Sequence, residues 1–343
     1  MGTNSVAKDY ESLRVHLGEE SISLLGYSYG TRLAAVYASF YPERVRAMVL
    51  DSPMPPTLGS VAQINLSEAP SYEDIGAFRL GSPQRLQSLQ NIIQQIGTTG
   101  SYLAADGFEV SQDELTKILD ILLRLSPSIE WEMTQAGLNE LLDSDEAHTF
   151  KVELAKFRES PLTSLEDLRF QLMLQAVNCV DESQPIDFNE VEALYPEFLE
   201  ATPTFANLVF PHSHLCSQWT GERDPVPAIE NMEQKLSGQS VLLVAGKLDP
   251  RTAYSWGQDM QASFGERAAL VTVTEVIDHG FSFSGYSCVD DVAVSYLIDP
   301  TLDVSDKVCQ GNIQGRKYNP NAEVHPVKRL NDVQPHYINN RGQ

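Results

Sequence analysis

Basic side chains are scarce in this chain: 24 Lys and Arg stand against 47 Asp and Glu among 343 residues, a formal net charge of −23. A surface of that sign repels phosphate backbones and anionic headgroups, so neither a nucleic-acid nor a membrane partner is expected. Runs of eighteen or more apolar residues are absent, which excludes a hydrophobic membrane-spanning helix. The opening stretch Met1 to Tyr10 lacks the apolar core of a signal peptide, and Ser5 lies one position too early for the myristoylation pattern. Only four cysteines occur, none in a C-x-x-C spacing, which disfavours zinc. No metal or other cofactor is expected.

What is present begins with 42% hydrophobic residues, enough for a large core. The length exceeds that of most single domains and suggests one domain carrying an insertion. The organising stretch is Ser21 to Gly30. Its apolar run ends in Gly26-Tyr27-Ser28-Tyr29-Gly30 and passes directly into a segment with Leu33, Ala34, Val36, Tyr37 and Phe40 at helical spacing. G-x-S-x-G alone occurs by chance in about one chain of this length in ten. Set between a buried strand and a helix, it reads as a nucleophile elbow. There the glycines let strand and helix approach closely, and Ser28 is held strained with its hydroxyl exposed. A glycine-rich strand-to-helix turn of some other α/β protein is the competing reading.

Before the elbow, Val6, Tyr10, Leu13 and Leu17 fall on one face of a helix that ends at Gly18. After it, Val45 to Leu50 reads as a second buried strand. From about Pro55 to Pro227 the pattern changes to helices with no convincing strand. Ser82-Pro83 caps one over Leu86, Leu89, Ile92, Ile93 and Ile96, and Ser111 with Glu114 forms a capping box. Further helices are expected over Trp131 to Leu142, Leu165 to Val177 and Val191 to Leu199. Strands return at Ser240 to Ala245 and Ala269 to Val276, with helices around Ala253 to Phe264 and Val289 to Ile298. Alternating strands and helices imply a parallel sheet covered on both faces. The expected organisation is a first core part over 1–54, a helical cap over 55–227, a second core part over 228–310, and a polar, extended or disordered tail over 311–343.

A serine nucleophile needs a base and a carboxylate to orient that base, each in a loop past the carboxyl end of a strand, in the chain order Ser, Asp or Glu, His. The loop after Ala245 offers Asp249, and the loop after Val276 offers His279. Six other histidines compete. His16 precedes the serine, His148 lies in the cap, and His325 and His336 lie in the tail. His212 and His214 form a loop pair for which a metal site stays open. Asp278, adjacent to the histidine, is poorly placed to reach Nδ1. The four cysteines fall as Cys179 with Cys216 and Cys288 with Cys309, which suits two disulfides, while four buried thiols remain an alternative. Asn65 heads a glycosylation sequon with Ser67, which favours a secreted protein.

The stretches Leu17-Gly18, Leu25 to Thr31, Tyr37-Ala38, Tyr41 to Val45, Val49 to Asp51, Cys216 to Trp219, Leu242-Leu243, Gly246, Leu248 to Pro250, His279-Gly280 and Ser287-Cys288 together resemble the α/β-hydrolases of the tripeptidyl-aminopeptidase and proline-iminopeptidase family. The resemblance implies an α/β-hydrolase fold, a mostly parallel sheet with an inserted helical cap. It implies that Ser28, Asp249 and His279 form the triad, that the cysteines pair as above, and that the enzyme is secreted and releases single residues or tripeptides from a free N-terminus. The family's early strands and its His-Gly-Gly loop have no counterpart, since the chain contains no Gly-Gly. The backbone N–H of Tyr29 is then the expected oxyanion donor, and loss of a second donor costs about 10²- to 10³-fold in rate. The elbow strand is also expected to lack neighbours on one side. The free amine of a substrate is expected on a cap carboxylate, with Glu130, Glu132, Asp181, Glu182 and Glu222 as candidates. Two other functions remain: a carboxylester or lactone hydrolase, since a triad does not distinguish amide from ester, and a truncated, inactive relative.

Overall fold

The computed structural model describes residues 2–126, 128–155, 165–236, 238–302 and 304–311. The chain opens with α1 (Thr3–Leu17), β1 (Ile22–Tyr27), α2 (Tyr29–Phe40) and β2 (Val45–Asp51). The cap follows, with α3 (Val61–Leu80), α4 (Pro83–Thr99), β3 (Ser101–Leu103), β4 (Glu109–Ser111), α5 (Gln112–Leu122), α6 (Ile129–Ser144) and α7 (His148–Leu154). It continues through α8 (Leu165–Asp181), α9 (Phe188–Glu192), α10 (Tyr195–Ala201) and α11 (Ala206–Val209). The core resumes with α12 (Met232–Lys235), β5 (Val241–Gly246), α13 (Tyr254–Phe264), β6 (Ala268–Thr274), α14 (Ser287–Ile298) and β7 (Lys307–Gln310).

Five strands form one sheet in the order β1-β2-β5-β6-β7, and every neighbouring pair is parallel. The strands read as near-continuous apolar runs because both faces are covered. On one face α1, α2 and α13 bury Ala7, Ala35, Tyr37, Met48, Leu243 and Phe264. On the other, α14 buries Val49, Leu242, Val244 and Val271 together with Val289 and Tyr296. The cap has a separate apolar core built on Leu89, Ile118, Leu122, Leu138, Phe198 and Phe205. The described residues fall within one compact unit. The expected tail lies almost wholly outside the described residues.

Three expectations change. The cap does contain strand: β3 and β4 pair as a short antiparallel hairpin, Ser101 opposite Ser111, too short for periodicity to reveal. In α1 the apolar stripe faces outward, with Leu13 53% and Leu17 61% exposed, while Thr3, Asn4 and Arg14 are buried. The polar groups point inward because each has partners there: Thr3 bonds Asp181, Asn4 bonds Asp224, and Arg14 pairs with Glu11. Finally, α3 occupies 61–80, within the expected helical stretch but where no individual helix is expected. Its Ile64 packs into the sheet core and its Ala62, Ala69 and Leu80 into the cap core, so apolar residues recur on two faces. Strand β1 is the sheet edge, with Leu25 39% and Tyr27 38% exposed, as expected for a strand unpaired on one side.

Candidate active site

Strand β1 turns into α2 at Ser28, which has φ 54° and ψ −124°. That left-handed backbone is costly for a residue with a Cβ. It is held by the Ser28 N–H, which donates to Asp51 O at 3.0 Å, and by the Ser28 carbonyl, which accepts from Thr31 N at 2.9 Å and from Thr31 Oγ1 at 2.6 Å. The two elbow glycines are not equivalent. An ideal Cβ on Gly26 would lie 2.4 Å from Gly30 O, whereas one on Gly30 meets no atom within 4 Å. The crowding expected at both exists only at Gly26. The N–H of Tyr29 opens α2, where no carbonyl of the helix can accept it, and it is therefore free for an anionic oxygen.

Asp249 follows β5 and is 1% exposed. Its carboxylate accepts from Arg251 N at 2.8 Å and Thr252 Oγ1 at 2.9 Å, which aims it at His279. His279 Nδ1 lies 2.9 Å from both Asp249 oxygens. The neighbouring Asp278 is engaged elsewhere, accepting from Tyr286 Oη at 2.6 Å. The His279 loop crosses the elbow: Tyr27 Oη donates to Ser282 O at 2.7 Å. Among the described residues no hydrogen bond joins Ser28 Oγ to His279. Such bonds are often long in an empty site and tighten around substrate.

The loop is also tied to the end of β2. Asp51 accepts from Phe281 N and Ser282 N, and Ser52 Oγ accepts from Gly280 N. Burial raises the Asp51 carboxyl to about 6 despite these donors.

Beside the elbow, a cavity of about 640 Å³ opens between α2, α3 and α8; Arg32, Met54, Glu68, Asn178, Arg251 and Trp256 are among the residues that line it. Two of these carry buried atoms without partners. Glu68 is 8% exposed, its Oε1 is unbonded, and burial lifts its carboxyl to about 8. Arg32 is 3% exposed; it donates to Asn178 Oδ1 at 3.1 Å and lies 3.5 Å from Asp181, yet its Nε and Nη2 are unbonded. Unpaired buried polar atoms at a cavity wall are what a polar ligand would satisfy.

None of the acids singled out in the sequence is among the residues lining this cavity, although Asp181 lies 3.5 Å from Arg32, which is. Asp181 accepts from Thr3 N, Glu182 accepts from Val61 N at 2.9 Å, Glu130 accepts from Ser128 Oγ, and Glu132 and Glu222 are exposed. Glu68 escaped notice because it sits in a helix with no legible period. His16 is exposed on α1, His148 stacks on Phe108, and His214 Nε2 pairs with Glu192 at 2.9 Å. His212 lines the cavity, while His325 and His336 lie outside the described residues. Cys179 is bonded to Cys216 and Cys288 to Cys309. Asn65 is half-buried on α3 and lines the cavity. Among the described residues no helix is long and apolar enough to cross a membrane, and no group of His, Cys, Asp and Glu is placed to hold a metal.

Comparison with known families adds the decisive observation. Residues 1–88 match the family model "alpha/beta hydrolase fold", and residues 202–309 match "TAP-like protein". The chain has the α/β-hydrolase fold and carries a TAP-like segment over 202–309. Among curated relatives, the chain is similar to the serine protease Hip1 of Mycobacterium tuberculosis, at 27% identity over 90% of this chain and 62% of that protein. It is also similar to the tripeptidyl aminopeptidase of Streptomyces lividans, at 24% identity over 90% of this chain and 58% of the relative. A putative hydrolase, YuaR of Escherichia coli, matches at 24% identity over 92% of this chain and 64% of its own length. The chain therefore spans about six-tenths of the length of these relatives.

Proposed function

We propose that this hydrolase is a serine exopeptidase that cleaves short peptides or single residues from a free N-terminus. The observation that carries the reading is the His279 to Asp249 pair, 2.9 Å apart and tied to the loop that crosses the Ser28 elbow. In the proposed cycle Asp249 fixes the Nδ1–H tautomer of His279, whose Nε2 removes the proton of Ser28 as Oγ attacks the scissile carbonyl. The N–H of Tyr29 donates to the oxyanion. His279 then protonates the leaving amine and activates water to release the acyl group. The names of the relatives, a serine protease and a tripeptidyl aminopeptidase, support this direction.

Glu68 favours a peptide with a free amine over a simple ester. Burial keeps its carboxyl largely neutral near pH 7. A ligand ammonium beside it would favour the charged form and pair with it. The two disulfides further suit an oxidising compartment, so secretion or residence in the cell envelope belongs to the same proposal.

The test compares hydrolysis of tripeptidyl and aminoacyl amides with that of their N-acetylated forms and of simple esters, using wild type, Ser28→Ala and Glu68→Gln. Expected are loss of all turnover in Ser28→Ala and, in Glu68→Gln, a rise in KM confined to free-amine substrates. Equal turnover in wild type and Ser28→Ala would end the serine mechanism. Indifference of wild type to acetylation would favour the ester reading.

A further inference from the structure

Asp51, which the sequence offers only within the stretch Val49 to Asp51, and Ser52 beside it collect in the structure three successive N–H groups of the base-bearing loop. Ser52 Oγ accepts from Gly280 at 3.0 Å, and the Asp51 carboxylate accepts from Phe281 at 3.0 Å and from Ser282. Both residues are fully buried. Asp51 also holds the nucleophile side, its carbonyl accepting the N–H of Ser28, while Ser52 N donates to Val244 O at 2.8 Å in strand β5, which leads to Asp249. Ser52 adopts φ 55°, a left-handed conformation unusual outside glycine. That strain turns its hydroxyl toward Gly280, and a neighbouring structure that tolerates it must gain from the contact. From the other side, Tyr27 Oη grips Ser282 O.

We infer that the Asp51-Ser52 corner, with Tyr27, is a positioning device that sets His279 in register with Ser28, an inference that rests on the serine mechanism proposed above. The two catalytic residues come from strands separated in the sheet: Ser28 follows β1, and His279 follows β6, with β2 and β5 between. Neither strand pairs with the other, so sheet register alone does not fix their separation. The end of β2 lies between them and bonds both, through its main chain to Ser28 and through its side chains to the loop after His279. The Asp51 carboxylate meets two main-chain donors with no cation in the pairing. Such a cluster acts on geometry, not on charge transfer, and a displacement of about 1 Å in a reacting group costs on the order of 10²-fold in rate.

The experiment uses the full chain and two readouts. The first is the rate at which a fluorophosphonate labels Ser28, which needs the aligned serine and base but no cap recognition. The second is the separation of kcat from KM on the best peptide substrate. Asp51→Asn places an amide donor against main-chain N–H groups, and Ser52→Ala and Tyr27→Phe each remove one anchor with little change of shape. Expected for Asp51→Asn is a fall of about 10- to 10²-fold in labelling rate and kcat together, with KM within about twofold, at temperatures well below its melting transition. Smaller parallel losses are expected for Ser52→Ala and Tyr27→Phe. A merely structural role would lower the melting temperature but leave kcat of the folded fraction intact, and that result would overturn the inference. If Asp51→Asn does not fold, the other two variants decide in the same way. Failure of the underlying mechanism is distinguishable, because wild type would then label no faster than Ser28→Ala.

Discussion

At Gly26 the elbow leaves no room for a side chain, since an ideal Cβ would sit 2.4 Å from the Gly30 carbonyl oxygen, a main-chain atom that cannot rotate away. Gly26→Ala should therefore disrupt the turn, seen as a large loss of thermal stability and of Ser28 labelling. Gly30 is in α2 with open space around it, so Gly30→Ala should leave stability unchanged or raise it by up to about 1 kcal/mol, measured by denaturant unfolding. The sequence presents the two glycines as equals, because a motif records residue types and not the separation of strand from helix. Glu68 makes a second prediction at this scale. Burial is the main cause that lifts its folded value to about 8, above the ordinary glutamate value of 4.5. Burial thus favours the neutral acid: the stability contribution is fully present below the unfolded value and is lost as pH rises through the window up to the folded value. Glu68→Gln removes that loss. It should melt at least about 2 °C above wild type near pH 8 and gain much less near pH 5, by scanning calorimetry.

At the scale of elements, each disulfide ties two segments that the chain brings together over a long loop. Strand β7 has four residues, pairs among the described residues only with β6, and is joined to α14 by Cys288 and Cys309 across 21 residues. Replacing both cysteines with serine should destabilise the protein by about 3 kcal/mol in urea unfolding, as expected for closing a loop of this size. Exchange protection should fall first in β7. The strands and α2 were legible because a doubly covered sheet demands apolar runs and a surface helix demands one apolar stripe. Helix α3 was not legible, because it is wedged between two cores and carries Pro70 in its interior. The outward stripe of α1 misled for a related reason: amphipathic spacing shows that a helix has an apolar face, not which side the fold covers.

For the molecule as a whole, that uncovered stripe and the edge strand β1 leave apolar surface in the open. Leu13, Leu17, Leu25 and Tyr27 are all more than a third exposed. An unpaired edge beside apolar side chains is a template for association. The isolated chain should therefore self-associate in a concentration-dependent way, followed by light scattering, and Leu25→Lys should reduce it without altering the fold. The net charge of −23 opposes association at low salt, so added salt should strengthen it. By itself the sequence determined the parallel sheet, the elbow and the order of Ser28, Asp249 and His279. Each depends on residue type and short spacing, which local sterics and periodicity translate directly. Tertiary structure alone decided that Asp51 and Ser52 grip the loop after His279, that Glu68 and Arg32 face one cavity, and that α1 presents its apolar side outward. Those outcomes depend on which distant segments meet, and no local pattern encodes a contact between residues 51 and 282.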